Sequence, residues 1–415
     1  MADSLRLLLV TQYFHPEVGA TQTRMREFAR HLARLGHRVT VVCEFPNHPH
    51  GIMPPEYRGK WFEPDRLDGF DVLRVWVKAS PVKNFKTRLL FYFTFMVMAV
   101  LAGFKLRGRF DAVVATSPPL PVALSGWALS VLKRARFVMD VRDLWPTAAV
   151  ALGELSNPKL VRAAEVVERF LYRRADRIVA VTEGFVAHIA PRCGDPSKVH
   201  LIPNGTITEI FHPDRADPAL RGRLGLNGQF VCTFAGTMGI AQGLPFLLDL
   251  AKSLADVPDV RFLFIGTGPV RERIVAKQRE EGIANVIFHD QVPLEEITEY
   301  LTMSDVLLVP LRADPVFDTF IPSKMFDYLA CRRPVILGVD GEARRMLEGR
   351  GGGLFARPED LESYRAAVLA LRADPALRAK MAAEGYAWVT AGYTRAAQAQ
   401  RLDALLRACA GEGRG

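Results

Sequence analysis

A lysine at the start of a helix, followed one turn later by an aspartate, is the part of this sequence best suited to chemistry. The stretch Ile321-Pro322-Ser323-Lys324-Met325-Phe326-Asp327-Tyr328 opens on a Pro-Ser pair. Serine is a good N-cap, its hydroxyl able to take a free N–H of the first turn. Lys324 follows at once, which sets a cation beside the positive end of a helix, an arrangement that suits a phosphate. Asp327 falls on the same helix face. A carboxylate there repels a phosphate but can accept hydrogen bonds from a sugar diol just beyond it. Two readings stay open on these residues alone: a nucleotide-diphosphate cradle, or a capped amphipathic helix with a surface ion pair.

Other candidates sit where apolar runs end. Gly19 lies in the loop between an apolar strand at 5–10 and an Arg-studded helix at 23–35. That loop has no G-x-G-x-x-G, so a dinucleotide fingerprint is not supported, and Gly19 also reads as a plain turn glycine. Asp143 stands in the exit loop of a strand at 137–141, where open α/β sheets place their ligands; pairing with Arg142 or capping the next helix are its ordinary alternatives. Two glycine-rich loops, Gly236-Thr237-Met238-Gly239-Ile240-Ala241-Gln242-Gly243 and Gly266-Thr267-Gly268-Pro269, each follow an apolar strand and precede a helix. His48 and His50 flank Pro49 in a proline-rich loop and read as solvated rather than metal-binding.

The elements that must hold these residues repeat as strand, glycine loop, helix, strand in both halves of the chain. The expected fold is therefore α/β: two Rossmann-like, doubly wound domains facing a cleft. The Asp-, Pro- and Arg-rich stretch 211–227 reads as the linker. This gives a first domain at 1–210, a second at 211–390, and a last helix at 391–411 that packs back across the hinge.

Residues 89–104, LLFYFTFMVMAVLAGF, carry no charge over 16 positions, with Lys83, Lys86 and Arg88 before them and Lys105, Arg107 and Arg109 after. Such a run reaches only about 24 Å, short of a bilayer core of roughly 30 Å. A helix lying in the membrane interface is expected, with Phe91, Phe95 and Met98 in the apolar layer and Lys86 and Arg88 on acidic headgroups. A buried helix and a true span are the alternatives.

Composition narrows the class. Apolar content of 49% and 24% charged residues are ordinary for a globular chain with a sizeable core. The five cysteines are far apart, which implies neither a disulfide framework nor a zinc site and fits a reducing cytosol. The start, Met-Ala-Asp-Ser, has no basic n-region before an apolar run and does not read as a signal peptide. Of the net charge of +9, the first 110 residues hold nearly all, with 17 Lys/Arg against 9 Asp/Glu. A local partner such as an anionic membrane surface or a pyrophosphate fits that asymmetry, and no nucleic acid is expected.

With Asp143-Leu144-Trp145-Pro146, Pro203-Asn204-Gly205, the two glycine loops and Pro322-Ser323-Lys324 in view, nearly the whole chain resembles a GT-B glycosyltransferase of family 4. Within that family it resembles the bacterial O-antigen and capsule aminosugar (fucosamine-type) transferases. The resemblance implies retaining transfer of an N-acetylated amino sugar from a UDP-sugar to a polyprenyl-diphosphate-linked saccharide, at the inner face of the cytoplasmic membrane. It implies donor contacts from Gly19, Gly236, Thr237, Gln242, Gly266, Gly268, Ser323, Lys324 and Asp327, and catalytic roles for Asp143 and Lys324. The family's usual Arg and Lys of the first glycine loop correspond to Thr237 and Gln242, so Lys324 carries most of the charge. The second of two family glutamates corresponds to Asp327, and the first falls near Thr319, beside Asp318. No Asp-x-Asp stands in a suitable loop, so no metal and no cofactor are expected. A UDP-sugar 2-epimerase and a non-catalytic nucleotide- or membrane-binding partner subunit are the rival readings.

Overall fold

The computed structural model describes residues 4–411 except Pro49, Lys83, Leu152 and Glu154. Lys83, one of the basic residues expected to flank the apolar helix, thus lies outside the described residues. The chain divides into two compact units, residues 1–203 with 395–415, and residues 204–394.

The first unit is built on eight strands: β1 (Arg6–Val10), β2 (Arg38–Glu44), β3 (Phe62–Leu67), β4 (Phe70–Val75), β5 (Ala112–Ser117), β6 (Arg136–Val141), β7 (Arg177–Ala180) and β8 (Val199–Leu201). Their order is β3-β4-β2-β1-β5-β6-β7-β8. All neighbours are parallel except β3 and β4. That hairpin, absent from the sequence reading, turns at Asp68-Gly69, both at positive φ (45° and 91°), as a two-residue hairpin loop of the common kind requires.

Strand parity assigns the two faces. Leu7, Leu9, Val41, Val114 and Val138 pack with Phe28 and Leu32 of α1 (Ala20–Arg34) and with Leu402 and Leu406 of the last helix, Arg395–Gly411. The adjacent positions Ala115 and Phe137 face the other way. There Gly126 of α3 (Leu120–Lys133) sits so close that an added Cβ would lie 2.2 Å from the Ala115 Cβ. The apolar segment forms α2 (Phe85–Lys105) and packs on α3, with Gly103 against Leu129 and Leu132.

The second unit holds β9 (Phe230–Ala235), β10 (Val260–Ile265), β11 (Val286–His289), β12 (Val306–Pro310), β13 (Val335–Gly338) and β14 (Gly353–Phe355). They form one parallel sheet in the order β11-β10-β9-β12-β13-β14. The central strands β9, β12 and β13 are buried throughout and read as short apolar runs because both their faces are covered.

Three expectations are corrected. The boundary is at 203/204, not 210/211, and 211–227 is not a linker. Phe211, Leu220 and Leu226 are buried, the Ile210 carbonyl accepts from Thr298 at 2.9 Å, and Arg221 pairs with Asp305 at 2.8 Å. The polar composition of that stretch reflects ion pairs that tie it to the second unit. The last helix, Arg395–Gly411, lies in the first unit, where the buried His37 imidazole meets Asp403 at 2.6 Å.

The third correction concerns α2. It runs 21 residues from an Asn84–Thr87 capping box, about 31 Å, and is long and apolar enough to cross a membrane. Its contact with α3 and its ends at β4 and β5 of one sheet lay it against the unit. Phe95 and Met98, expected in the apolar layer, are core residues on the buried face with Ala99 and Ala102. The outward stripe is Leu89, Phe93, Val97, Leu101 and Phe104, with Phe93 53% and Phe104 70% exposed. Phe91 is half-buried, and Lys86 and Arg88 are exposed at the helix start.

Candidate active site

In the second unit the glycine loops meet at the C-terminal end of the sheet. Gly236 N donates to the Ile265 carbonyl at 2.9 Å, and Met238 N to the Thr267 carbonyl at 2.9 Å. The approach is so close that a Cβ on Gly266 (φ +132°) would lie 2.2 Å from the Gly236 carbonyl oxygen, and one on Gly268 would lie 2.4 Å from that of Met238. These glycines are therefore fixed by backbone contact, and Gly266 also by its φ.

Lys324 opens the helix Lys324–Ala330 and reaches back to the end of β9. Its Nζ donates to the Ala235 carbonyl at 3.3 Å and sits 3.8 Å from the centroid of the Phe234 ring. A Cβ on Gly236 would be 3.3 Å from that ammonium. The side chain is half-buried, yet the atoms packed round the charge push its pKa down to about 7, opposed by Asp327. Tyr328, one turn on, clamps the same residue: its hydroxyl donates to the Ala235 carbonyl and accepts from Ala235 N, both at 2.8 Å. The sequence reading passed over Tyr328, although a tyrosine four residues after the lysine shares its helix face.

The expected serine cap is not formed. Ser323 has helical backbone angles (φ −59°, ψ −30°) and makes no side-chain cap bond. A capping hydroxyl needs an extended residue, and here backbone turns open the helix, with Met325 N on the Pro322 carbonyl and Phe326 N on that of Ser323. Gln242 accepts from Gly239 N at 3.0 Å, which closes its own loop, while Thr237 is exposed. Thr319 bonds within its own turn to the Val316 carbonyl, and Asp318 is exposed beside it. Arg312, a cation the sequence reading missed, leaves the end of β12 exposed, with its backbone N on the Ala241 carbonyl at 2.9 Å.

The first unit carries the remaining candidates. Gly19 precedes α1, and a Cβ there would lie 2.5 Å from Gln22 Oε1. Asp143 is half-buried beside Arg142, which donates to Thr21 Oγ1 and to the Pro118 carbonyl. Burial pushes Arg142 down to about 10. Gly19 and Asp143 thus share the first unit with the candidate membrane residues of α2, and the other candidate donor residues share the second. The five cysteines are buried and form no disulfide.

The two sheets, each with its loops at the C-terminal strand ends, define the GT-B class. Residues 19–205 match the Glycosyl transferase 4-like domain, and residues 229–374 match Glycosyl transferases group 1. The chain is a glycosyltransferase of the GT-B fold, an enzyme that transfers sugars.

It is similar to the probable glycosyltransferase WbjE of Pseudomonas aeruginosa, 26% identical over 61% of this chain and 64% of that protein's length. It is 25% identical to a GDP-mannose-dependent alpha-(1-6)-phosphatidylinositol monomannoside mannosyltransferase of Mycolicibacterium smegmatis, over 96% of this chain and 98% of the relative. Among solved structures, sucrose-phosphate synthase from Thermosynechococcus elongatus superposes with a TM-score of 0.76 at 18% identity, covering 98% of this chain and all of the other. Anabaena HepE in complex with UDP and glucose gives 0.73 at 15% identity, covering 97% and 100%.

Proposed function

We propose that the enzyme moves an N-acetylated amino sugar, with retention and without a metal, from a UDP-sugar to a polyprenyl-diphosphate-linked saccharide in surface-polysaccharide synthesis. It works in the cytoplasm, on the inner face of the plasma membrane. The observation that carries this reading is the Lys324 ammonium, held between Phe234, the Ala235 carbonyl and Gly236 at the strand ends of the second sheet.

An ammonium partly discharged by burial regains its proton when a diphosphate arrives, so the charge forms where the leaving group develops. Gly236 and Thr237 border that point, Arg312 adds a second cation on the same edge, and Asp327 and Ser323 lie at the helix start for the ribose. In the first unit, Asp143 orients or deprotonates the acceptor hydroxyl. Support for the donor comes from the HepE structures, which hold UDP and UDP-glucose. Support for a lipid-linked acceptor comes from the phosphatidylinositol mannoside named for the Mycolicibacterium relative. Mass spectrometry of lipid-linked glycans, incubated with a panel of UDP-sugars and with GDP-mannose, tests it. One N-acetylhexosamine added from a UDP-N-acetylhexosamine, with UDP released, is expected, and elongation from GDP-mannose alone overturns the donor.

The outward stripe of α2 serves the membrane. Phe93, Val97 and Leu101 lie four residues apart on one exposed face, and Lys86 and Arg88 sit at the end that meets acidic headgroups. Replacing Phe93, Val97 and Leu101 together with Ser is expected to abolish sedimentation with anionic vesicles while the melting temperature holds. Equal sedimentation of wild type and variant excludes this face.

A further inference from the structure

We propose, on the basis of that transferase reading, that Gln12, Glu17 and Glu44 of the first unit form a pocket that reads hydroxyl groups of an uncharged sugar of the acceptor. Gln12 lies two residues past β1 and Glu44 ends β2, and the Glu44 N–H donates to the Gln12 carbonyl at 3.1 Å. The neighbouring parallel strands therefore deliver both side chains to the edge where such sheets take ligands.

The hydrogen bonds here are half complete. Glu17 Oε1 accepts from the backbone N–H groups of Asn47 and His48, both at 2.7 Å, and Glu44 Oε1 accepts from Asn47 Nδ2 at 2.8 Å. The second oxygen of each carboxyl is buried without a well-directed hydrogen bond, although the Gln22 side chain lies against Glu17 and steadies its charge. Gln12 lies against Glu44 and steadies its charge, yet neither of its amide atoms makes a well-directed bond. Gln12 and Glu44 are each 1% exposed. An unsatisfied buried polar atom costs about 1–3 kcal/mol, and these three side chains hold four. Stability alone favours an apolar residue at position 12, so the polar atoms point to a ligand that completes them.

The chemistry selects the ligand. Burial raises the proton affinity of both carboxyls, and Glu17 raises that of Glu44 further. The carboxyl oxygens offer acceptors, and the Gln12 amide offers a donor and an acceptor. Hydroxyl groups, themselves donor and acceptor, match this set, while a phosphate meets two acids. The position fits a lipid-borne saccharide. Tyr13 interacts with Tyr92, Glu44 and Glu17, and its ring lies 6.2 Å from that of Phe91. The pocket is thus one aromatic layer beneath the first turns of α2, whose outer face carries the apolar stripe.

Saturation-transfer NMR on the full-length protein with N-acetylglucosamine, glucose, galactose and rhamnose tests the assignment. At least one sugar is expected to bind wild type without competition from UDP. Gln12→Met, close to volume-conserving, is expected to weaken that binding by about tenfold or more. Its melting temperature should hold, because neither Gln12 amide atom makes a well-directed bond. Glu44→Gln is the second variant and should weaken the same sugar.

The proposal is overturned if no sugar binds, if binding is unchanged in Gln12→Met, if UDP displaces the sugar, or if Mn2+ alone binds and Glu44→Gln removes it. UDP calorimetry on wild type separates the two readings. Absent UDP binding refutes the UDP-sugar donor reading, whereas normal UDP binding with unaltered sugar binding in the variants refutes only this pocket.

Discussion

Lys324→Ala is expected to lower kcat by on the order of a hundredfold or more, with the melting transition little changed, because a preorganised group facing developing charge has that magnitude. The ammonium is the cation set directly against the Ala235–Gly236 turn, and Tyr328 holds that turn independently through its two bonds to Ala235. The loop therefore keeps its shape when the lysine is gone. The pH dependence has a definite sign. With a pKa pushed down to about 7, free Lys324 is charged below neutrality and discharged above it. Donor kcat/KM should accordingly fall as pH rises through about 7 in wild type and lose that limb in the alanine variant. UDP binding at pH 8 should take up a proton, read by calorimetry in buffers of different ionisation enthalpy. Unchanged turnover in Lys324→Ala, or no proton uptake, removes the lysine from the diphosphate site.

Asp140→Ala is expected to destabilise the first unit by about 3–5 kcal/mol, the cost of leaving a buried charge without its partner. Asp140 on β6 and Arg24 on α1 are almost wholly buried, 2.8 Å apart. Arg24 also donates to the carbonyls of Ile202 and Pro203, both at 3.0 Å, and stacks 4.5 Å over the Phe28 ring. One guanidinium thus joins a helix, a strand and the chain segment that ends the first unit. Removing both charges, as in Arg24→Met with Asp140→Leu, should recover most of the loss, since apolar residues of similar volume often replace a buried pair without penalty. Urea unfolding of the unit's own transition measures both. A loss under about 1 kcal/mol in Asp140→Ala shows that the pair does not hold the unit together.

The sequence by itself determined the fold class, most strands of both sheets and the glycine loops. Phe230–Ala235, Val260–Ile265 and Val306–Pro310 are apolar runs bounded by glycine or polar residues, and strands covered on both faces have to look that way. Lys324 was legible too, because its place at a helix start is a local property.

What only the tertiary structure decided depends on phase and on distance along the chain. A helix apolar all round has no polar stripe to give its rotation, so packing against α3 alone turns Phe95 and Met98 inward and Phe93 and Val97 outward. The 211–227 stretch looked like a linker because its charges are paired with residues some eighty positions later, such as Arg221 with Asp305. Lys324 finds Phe234 across ninety residues, and Gln12 finds Glu44 across thirty-two. Strand order brings the helix that follows β12 beside the end of β9, and strand register aligns Gln12 with Glu44; both are set by the whole sheet rather than by any local spacing.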